Sequence, residues 1–425
     1  MYFNMFLLQF GLNPEDFEDI SPNPIETEDG FIYEIRQKLK SRFCKECGCE
    51  SLIIHDRKWI TLKGQISSLQ NIEIRILRIR VKCKECGAIY TVPIQGQNPY
   101  DKVINLVKNN IAADCKKIES FSSIAYRYGL SVTTIINVFD DKFPFVKRKK
   151  MPEKICVDEL HLEHDGAKYI TVLSNYDTGE IIDIIKDRKD AYLDDYFRRI
   201  PEGERRNTKV FICDMYKGFS RVHDLYFPKS TLCIDLFHML KQLRDAVSTL
   251  RRRTMHLVIS TNPDEARFMK DYWGLFETNE HHIGNGMFYK VTGEIVPQRY
   301  MIIDCLKLDQ DLWDGYRILQ ELLQYNNYDD YMSASKFINR IKDKLLSSQN
   351  ELLYKVGLTY KRWEAPVSEG LIKRENGKRY TNALAEGNNS HIRRVINVSY
   401  GYKNFDRFRN RVLLIRDMSL SKKKA

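Results

Sequence analysis

Apolar and charged positions alternate between residues 72 and 82. Ile72, Ile74 and Ile76, then Leu77, Ile79 and Val81, stand against Glu73, Arg75, Arg78, Arg80 and Lys82. A period of two predicts a strand, and the slip of phase at Ile76/Leu77 predicts a β-bulge. Residues 100–140 change to a helical period. From Ile155 onward, short β-branched runs separated by Gly, Asp and Asn predict a meander of strands over 155–160, 168–174 and 180–186. Its turns fall at His164-Asp165-Gly166 and at 175–179. A helix over 191–200 and a strand over 208–213 follow. From about 235 to 380 the pattern is helical again. Before all of these, residues 1–40 read as a short amphipathic lead-in with a proline turn, Ser21-Pro22-Asn23-Pro24.

Within the first helical stretch, residues 119–139 read as helix, turn and helix. Ile124 and Ala125 belong to the first helix, Gly129 takes the turn, Leu130 plugs the core and Ser131 caps the second helix. Thr133, Thr134 and Asn137 then lie on the open side of the second helix, small polar residues suited to a DNA groove. An ordinary helical hairpin would show the same pattern. The order of modules favours a helix-turn-helix: cysteine pairs before it, and the basic run Lys147-Arg148-Lys149-Lys150 after it.

A chain of 425 residues is too long for one ordinary domain, and two to four are expected. With 43% hydrophobic residues it is neither disordered nor a coiled-coil rod. The formal net charge of +11 points to an anionic partner. That charge is uneven: about −5 over residues 1–40, +10 over 41–150, −2 over 151–390 and +8 over 391–425. Two basic segments therefore flank a centre of different chemistry. No stretch of 18 apolar residues exists, and the apolar start lacks a basic n-region, so a cytosolic protein with access to DNA is expected.

Four of the ten cysteines form two near-duplicate pairs, Cys44-Lys-Glu-Cys47 and Cys83-Lys-Glu-Cys86, each followed by Gly. A CxxC turn places two thiolates at a tetrahedral edge, and the following Gly tolerates positive φ. Together the pairs supply four thiolates to one structural Zn²⁺, with no open position for chemistry. A long hairpin between them explains the 35-residue gap. Cys49 is an extra thiol and a weaker alternative ligand. The basic strand face of Arg75, Arg78, Arg80 and Lys82 could meet DNA phosphates, or be only a solvated face.

Asp158 ends the apolar run Ile155-Cys156-Val157, and Asp214 ends Val210-Phe211-Ile212-Cys213. An acid at the end of a buried strand is costly unless it is paired or binds a cation. On neighbouring strands, about 5 Å apart, the two can hold hard divalent cations through oxygen. Three antiparallel strands, a helix and a further strand is the order of a ribonuclease-H-like core. A third acid, Glu386, stands in Ala385-Glu386-Gly-Asn-Asn389. On a helix Glu386, Asn389 and Arg393 share a small polar face that a phosphodiester can approach.

Taken in order, these residues resemble the ISL-three family of bacterial DDE transposases. The resemblance is carried by the CxxCG pairs, the helix-turn-helix, Val157-Asp158-Glu159, Cys213-Asp214-Met-Tyr-Lys-Gly-Phe219, Asp235-Leu-Phe-His238, Ala385-Glu386-Gly-Asn-Asn389, Ser399-Tyr-Gly-Tyr-Lys-Asn-Phe405 and Arg407-Phe-Arg-Asn-Arg411. It implies a ribonuclease-H-like core in which Asp158, Asp214 and Glu386 bind two Mg²⁺ (or Mn²⁺) ions. It also implies a helical insertion before the third acid, and a supporting position for Asp235 and His238. For His238 a purely structural role remains open.

The resulting expectation is a multidomain α+β and α/β protein. Its parts are the lead-in (1–40), a zinc ribbon (41–98), a helix-turn-helix domain (99–146), a basic linker (147–154), the first part of the core (155–244), a helical insertion (245–378), and core completion with a basic tail (379–425). In the tail, Phe405, Phe408 and Val412 at helical spacing predict core packing, and Arg407 and Arg411 are candidates for phosphate contact. The expected partners are double-stranded DNA, both terminal inverted repeats and target, and further copies of the chain in a synapse. Two other readings of the same features are a retired transposase acting as a DNA-binding regulator and a structure-selective nuclease. Intact acids weigh against the first, and two amino-terminal DNA-binding modules against the second.

Overall fold

The long alternating stretch becomes one antiparallel hairpin in a computed structural model of the chain. The structure describes residues 2–18, 23–28, 30–67, 70–95, 97–98, 101–164, 166–284, 286–289, 293–375 and 377–424. Ser21 and Pro22 of the expected proline turn, and Asp165 of the expected His164 turn, lie outside them. The chain divides into two compact units, Met1–Lys147 with Ile392–Ala425, and Arg148–His391. Among the described residues no helix is long and apolar enough to cross a membrane.

The first unit begins with α1 (Tyr2–Gln9), β1 (Ile25–Thr27), β2 (Gly30–Arg36), β3 (Leu52–Ser67), β4 (Gln70–Cys83) and β5 (Ile89–Thr91). Helices α2 (Asn105–Asp114), α3 (Phe121–Tyr128) and α4 (Val132–Lys142) follow. The sheet runs β1-β2-β4-β3 with β5 also on β4; β2 is parallel to β4 and β3 antiparallel to it. Residues 1–40 are more than a lead-in: Phe3, Leu7, Phe10 and Leu12 are buried in one cluster with Leu62, Ile74 and Ile76, and β2 belongs to the sheet.

The bulge expected at Ile76/Leu77 is absent. Ile76 pairs with Ile60 and Leu77 with Trp59 without a break, and the register shifts lie at Ile54/Asp56 and Gly64/Ser67. The change of phase has another cause. Ile74 and Ile76 on one face of β4 pack into the cluster with α1 to α4, while Ile79, Val81 and Cys83 on the other face pack with Cys44 and Leu52. One straight strand thus serves two cores on opposite faces.

The second unit contains β6 (Lys154–His164), β7 (Ala167–Asn175), β8 (Ile181–Ile185), α5 (Asp190–Arg198), α6 (Glu202–Arg206), β9 (Val210–Cys213), α7 (Lys217–Tyr226) and β10 (Thr231–Ile234). Next come α8 (Leu236–Val258), α9 (Pro263–Asp271), β11 (Met287–Tyr289), β12 (Glu294–Val296), α10 (Gln298–Lys307), α11 (Gln310–Leu323), α12 (Tyr331–Leu346) and α13 (Glu351–Gly370). Its five-stranded sheet has the order β10-β9-β6-β7-β8. The β6-β7-β8 meander is antiparallel, and β9 and β10 add parallel to β6. The long helix α8 and its partners bury Leu243, Val247 and Leu250 against Leu319 and Leu353 in one continuous core with the sheet residues Val157 and Phe211. Gly370 lets α13 approach β10 closely, because a Cβ there would lie 2.3 Å from the Ile234 carbonyl oxygen.

Two last helices end the chain, α14 (Ala383–Val398) and α15 (Phe405–Lys424). Phe408 and Val412 of α15 are buried, as their spacing predicted, whereas Phe405 is only half-buried.

Candidate catalytic and metal centres

The β3–β4 hairpin brings the two cysteine pairs together. Gly48 and Gly87 both adopt a φ of 73° and close their turns by donating N–H to the Cys44 and Cys83 carbonyls. Cys44, Cys47, Cys83 and Cys86 have sulfur atoms all within 4.8 Å of one another. The Cys44–Cys86 and Cys47–Cys83 separations are both 3.7 Å. A tetrahedral Zn²⁺ with bonds of about 2.3 Å requires an edge of about 3.8 Å, so this donor set fits a structural metal ion. N–H groups of its own turn hold the first thiol of each pair low, Cys83 down to about 6. Cys49 stands beside the group, 3.0 Å from Cys47 and 3.2 Å from Cys83.

The acids of the second unit follow from strand register. Val157 pairs with Cys213 on the parallel β9, and Cys213 with Ile234 on the parallel β10. The residue after each of these is an acid: Asp158, Asp214 and Asp235. Three carboxylates therefore stand in one row. Asp214 and Asp235 directly follow the carboxyl ends of β9 and β10, where ligands bind in open sheets. Asp158 instead lies within β6, which continues to His164 rather than ending at the acid as its apolar run suggested. Asp158 is 7% exposed. Burial, then the negative charge of Asp214, push its carboxyl up to about 7, and Glu159 and Glu386 add to the rise. The Glu159 N–H, 2.9 Å from Asp158 Oδ1, opposes it. Burial also raises Asp214; the Tyr216 N–H at 3.0 Å, His238 and Arg188 oppose that rise.

Glu386 is exposed in the first turn of α14. Among the described residues the cysteine quartet is the group of three or more potential ligands whose atoms all lie within 4.8 Å, and Asp158, Asp214 and Glu386 are spaced more widely than that. Asp235 is committed to structure. Its Oδ1 caps α8 through the Phe237 N–H at 3.0 Å, and its Oδ2 accepts the Asn382 N–H at 2.9 Å. It thus ties the start of α8 to the residue before α14. The ring of His238 packs edge-on against Phe237.

Asn389 differs from expectation. It is 6% exposed, and its amide donates to Asp158 Oδ2 at 2.8 Å and to the Glu159 carbonyl at 3.2 Å. A side chain bound in this way cannot line an open DNA-facing surface. Arg188 is a further residue of the site, one that no sequence motif marks. Its guanidinium lies between the rings of Tyr169 (3.8 Å) and Tyr216 (4.8 Å) and pairs with Glu159. Glu159 carried a signal, since it directly follows Asp158. Arg188 carried none, because only folding brings β8's end beside β6.

The other expected DNA contacts divide in two. Thr133 and Asn137 are exposed on α4 and Thr134 is half-buried. The start of α4 opens on a cavity of about 550 Å³ lined by Ser131, Thr134 and Asn137 with Lys63, Lys102 and Lys108. Arg393 is exposed. Arg75 and Arg80 are accessible but paired, with Glu34 at 3.4 Å and Asp56 at 3.0 Å. Three arginines are corrected. Arg78 is buried and donates to the Val92 carbonyl at 3.0 Å. Arg407 forks onto Asp140, with its closest contact at 2.6 Å. Arg411 is fully buried over the Phe121 ring, with its guanidinium on the Glu119 and Lys117 carbonyls. These three hold the first unit together because their long stems bury apolar surface while the head donates to backbone carbonyls, for Arg78 and Arg411, or pairs with an acid, for Arg407.

Compared with known families, residues 155–412 match a DDE transposase family model of the ISL-three type, described as Transposase. The matched stretch spans more than half of the chain and contains Asp158, Asp214, Asp235, Glu386 and Asn389. No curated protein matches the chain.

Proposed function

Because the chain belongs to the ISL-three family of DDE transposases, we propose that it binds the terminal inverted repeats of an insertion sequence and cleaves and transfers DNA strands at a site built from Asp158, Asp214 and Glu386. The observation that carries this reading is the row of acids: Asp158 within β6 and Asp214 just after the parallel β9 follow a matched pair, Val157 and Cys213, and the charge of Glu386 acts on Asp158. Carboxylates kept in a setting that raises their affinity for protons are carboxylates that a divalent cation would relieve. The donor set is all oxygen, which suits Mg²⁺ or Mn²⁺. Bound there, the ions would activate a water or 3′-hydroxyl and stabilise the leaving oxygen.

The residues of the chain divide the remaining work. Asp158, Asp214 and Glu386 would hold the cations. Asp235 fixes the segment that enters α14, and His238 lies near enough to Asp214 to act on its charge. The order β10-β9-β6-β7-β8 supports a ribonuclease-H-like core interrupted by a helical insertion (245–378). The cysteine quartet supports a zinc ribbon (41–98). The Ser120 and Ser131 caps, with Gly129 at φ 59° between α3 and α4, support a helix-turn-helix (99–146). Thr133, Thr134 and Asn137 then enter a groove, while Lys63, Lys102 and Arg393 meet phosphates. Two ends must be held for strand transfer, so a homo-oligomer in the cytoplasm is part of the proposal.

The test is a gel assay with zinc-loaded full-length protein and a duplex carrying the element's terminal repeat. Mg²⁺-dependent nicking and joined donor–target products are expected, and Asp158→Ala should abolish both. Undiminished Mg²⁺-dependent cutting by that variant removes Asp158 from the site. Binding without any cutting by the unaltered protein supports a regulator instead.

A further inference from the structure

Two consecutive buried asparagines pin the first half of α14 to the sheet. Asn388 donates to Ser174 Oγ at 2.8 Å and to the Gly179 carbonyl at 3.2 Å. Asn389 donates to Asp158 Oδ2 and to the Glu159 carbonyl. We propose that Asn389 is a positioning residue for cation binding, one whose side-chain amide fixes the Asp158 carboxylate and, one helical turn away, holds Glu386 in place to share a metal ion with it. This rests on the reading of Asp158 and Glu386 as cation ligands.

The geometry is specific. One amide nitrogen carries two hydrogens, and both are used on consecutive residues of β6, one on the carboxylate and one on the main chain. That locks the rotation of the Asp158 side chain relative to its own strand. Asp158 Oδ1 is held separately by the Glu159 N–H at 2.9 Å. Each carboxylate oxygen therefore has one donor and keeps a lone-pair direction for a cation. The amide cannot be reversed, since its oxygen would then face a carboxylate and a carbonyl. Asn389 and Glu386 are three residues apart on α14, so they lie on one side of the helix. Fixing Asn389 to β6 fixes the reach of Glu386 toward Asp158.

Packing alone does not account for an asparagine here. Asn389 Oδ1 is buried with no hydrogen-bond partner among the described residues. An orphaned buried acceptor costs free energy that a leucine of similar size would avoid. What asparagine supplies and leucine cannot is the donor to Asp158. Groups that orient metal ligands typically change metal affinity about 10- to 100-fold when removed.

The experiment uses zinc-loaded full-length protein without DNA, titrated with Mn²⁺ and followed by electron paramagnetic resonance. Asp158→Ala identifies the part of the binding that belongs to the acids. Asn389→Leu is expected to weaken that part by about 10- to 100-fold, with a melting temperature lowered by no more than that of Asn388→Leu, which breaks a matching pair of buried hydrogen bonds. In the cutting assay the half-saturating Mg²⁺ concentration should rise by a similar factor, with most of the rate recovered at saturating metal. Asn388→Leu should lower the melting temperature and leave Mn²⁺ affinity as it was. If Asn389→Leu does not fold, Asn389→Ser, too short to reach Asp158, gives the same readout. Wild-type Mn²⁺ affinity in a folded Asn389 variant overturns the proposal while leaving the acids as ligands. If the unaltered protein shows no Mn²⁺ binding that Asp158→Ala removes, the reading of the acids fails and the proposal falls with it.

Discussion

Replacing Asp158 by Asn tests the burial of the acid row in the absence of divalent cations. The carboxyl is raised from 3.8 to about 7, chiefly by burial and then by Asp214. Below about pH 4 it is protonated in folded and unfolded chains alike and costs nothing. Between there and about pH 7 only the unfolded chain ionises, so stability falls with rising pH by about 1.36 kcal/mol per pH unit. Above that window the full cost is present, at most about 4 kcal/mol. The Asp158→Asn variant, whose amide does not ionise, escapes this cost. It also loses one hydrogen bond, worth about 1–3 kcal/mol, because a single amide oxygen cannot serve both the Glu159 N–H and Asn389. That second loss is the same at every pH, so the change between two pH values isolates the carboxylate. From about pH 5 to about pH 8 the Asp158→Asn protein should gain about 2–3 kcal/mol on the wild type. The measurement is denaturant unfolding of zinc-loaded protein without Mg²⁺ or Mn²⁺. Adding Mn²⁺ should then stabilise the wild type and not the variant. A difference between the two proteins that stays flat across that pH range would refute the burial reasoning.

Three further outcomes are expected. Cys83→Ser should abolish bound zinc, from one ion per chain to none by elemental analysis, whereas Cys49→Ser should retain it; zinc loss in both would make Cys49 a ligand. Arg411→Ala should destabilise the first unit by about 3 kcal/mol or more, since it removes the guanidinium from the Glu119 and Lys117 carbonyls and opens a cavity over Phe121. An unchanged unfolding midpoint together with weaker DNA binding would return Arg411 to the phosphate-contact role. Gly370→Ala should cost about 2 kcal/mol or more and lower cutting as well, because the new Cβ meets the Ile234 carbonyl immediately before Asp235; unaltered stability would show that α13 moves away freely.

Much of the fold is legible along the chain. The β6-β7-β8 meander, α5 and β9 follow from period and turn residues, with ends shifted by a few positions. The cysteine quartet is legible because CxxCG is a self-contained turn and the stretch between the pairs alternates, apart from the slip at Ile76/Leu77, as a hairpin strand does. Asp158 and Asp214 are visible as acids ending apolar runs. The slip at Ile76/Leu77 is visible too, but its cause is not, since a strand buried on alternate faces and a bulged strand leave the same trace in sequence. The roles of single polar residues are less legible. Helical spacing puts Asn389 on the side of Glu386, yet its partner is Asp158 rather than DNA. Charge alone assigns Arg78, Arg407 and Arg411 to phosphates, and the fold buries or pairs all three.

What the sequence by itself determined is therefore what local rules write: side-chain period, capping residues, glycine at positive φ and closely spaced ligands. What only the tertiary structure decided is partnership. The register that lines up Asp158, Asp214 and Asp235 depends on three strands pairing across the chain. The donor to Asp158 comes from a residue 231 positions away, and the carbonyls that hold Arg411 from 292 and 294 positions away. A charged or amide side chain carries the same signature whether it meets solvent, a nucleic acid or a buried partner. Which of these it meets is set by desolvation and hydrogen bonding once the chain is packed.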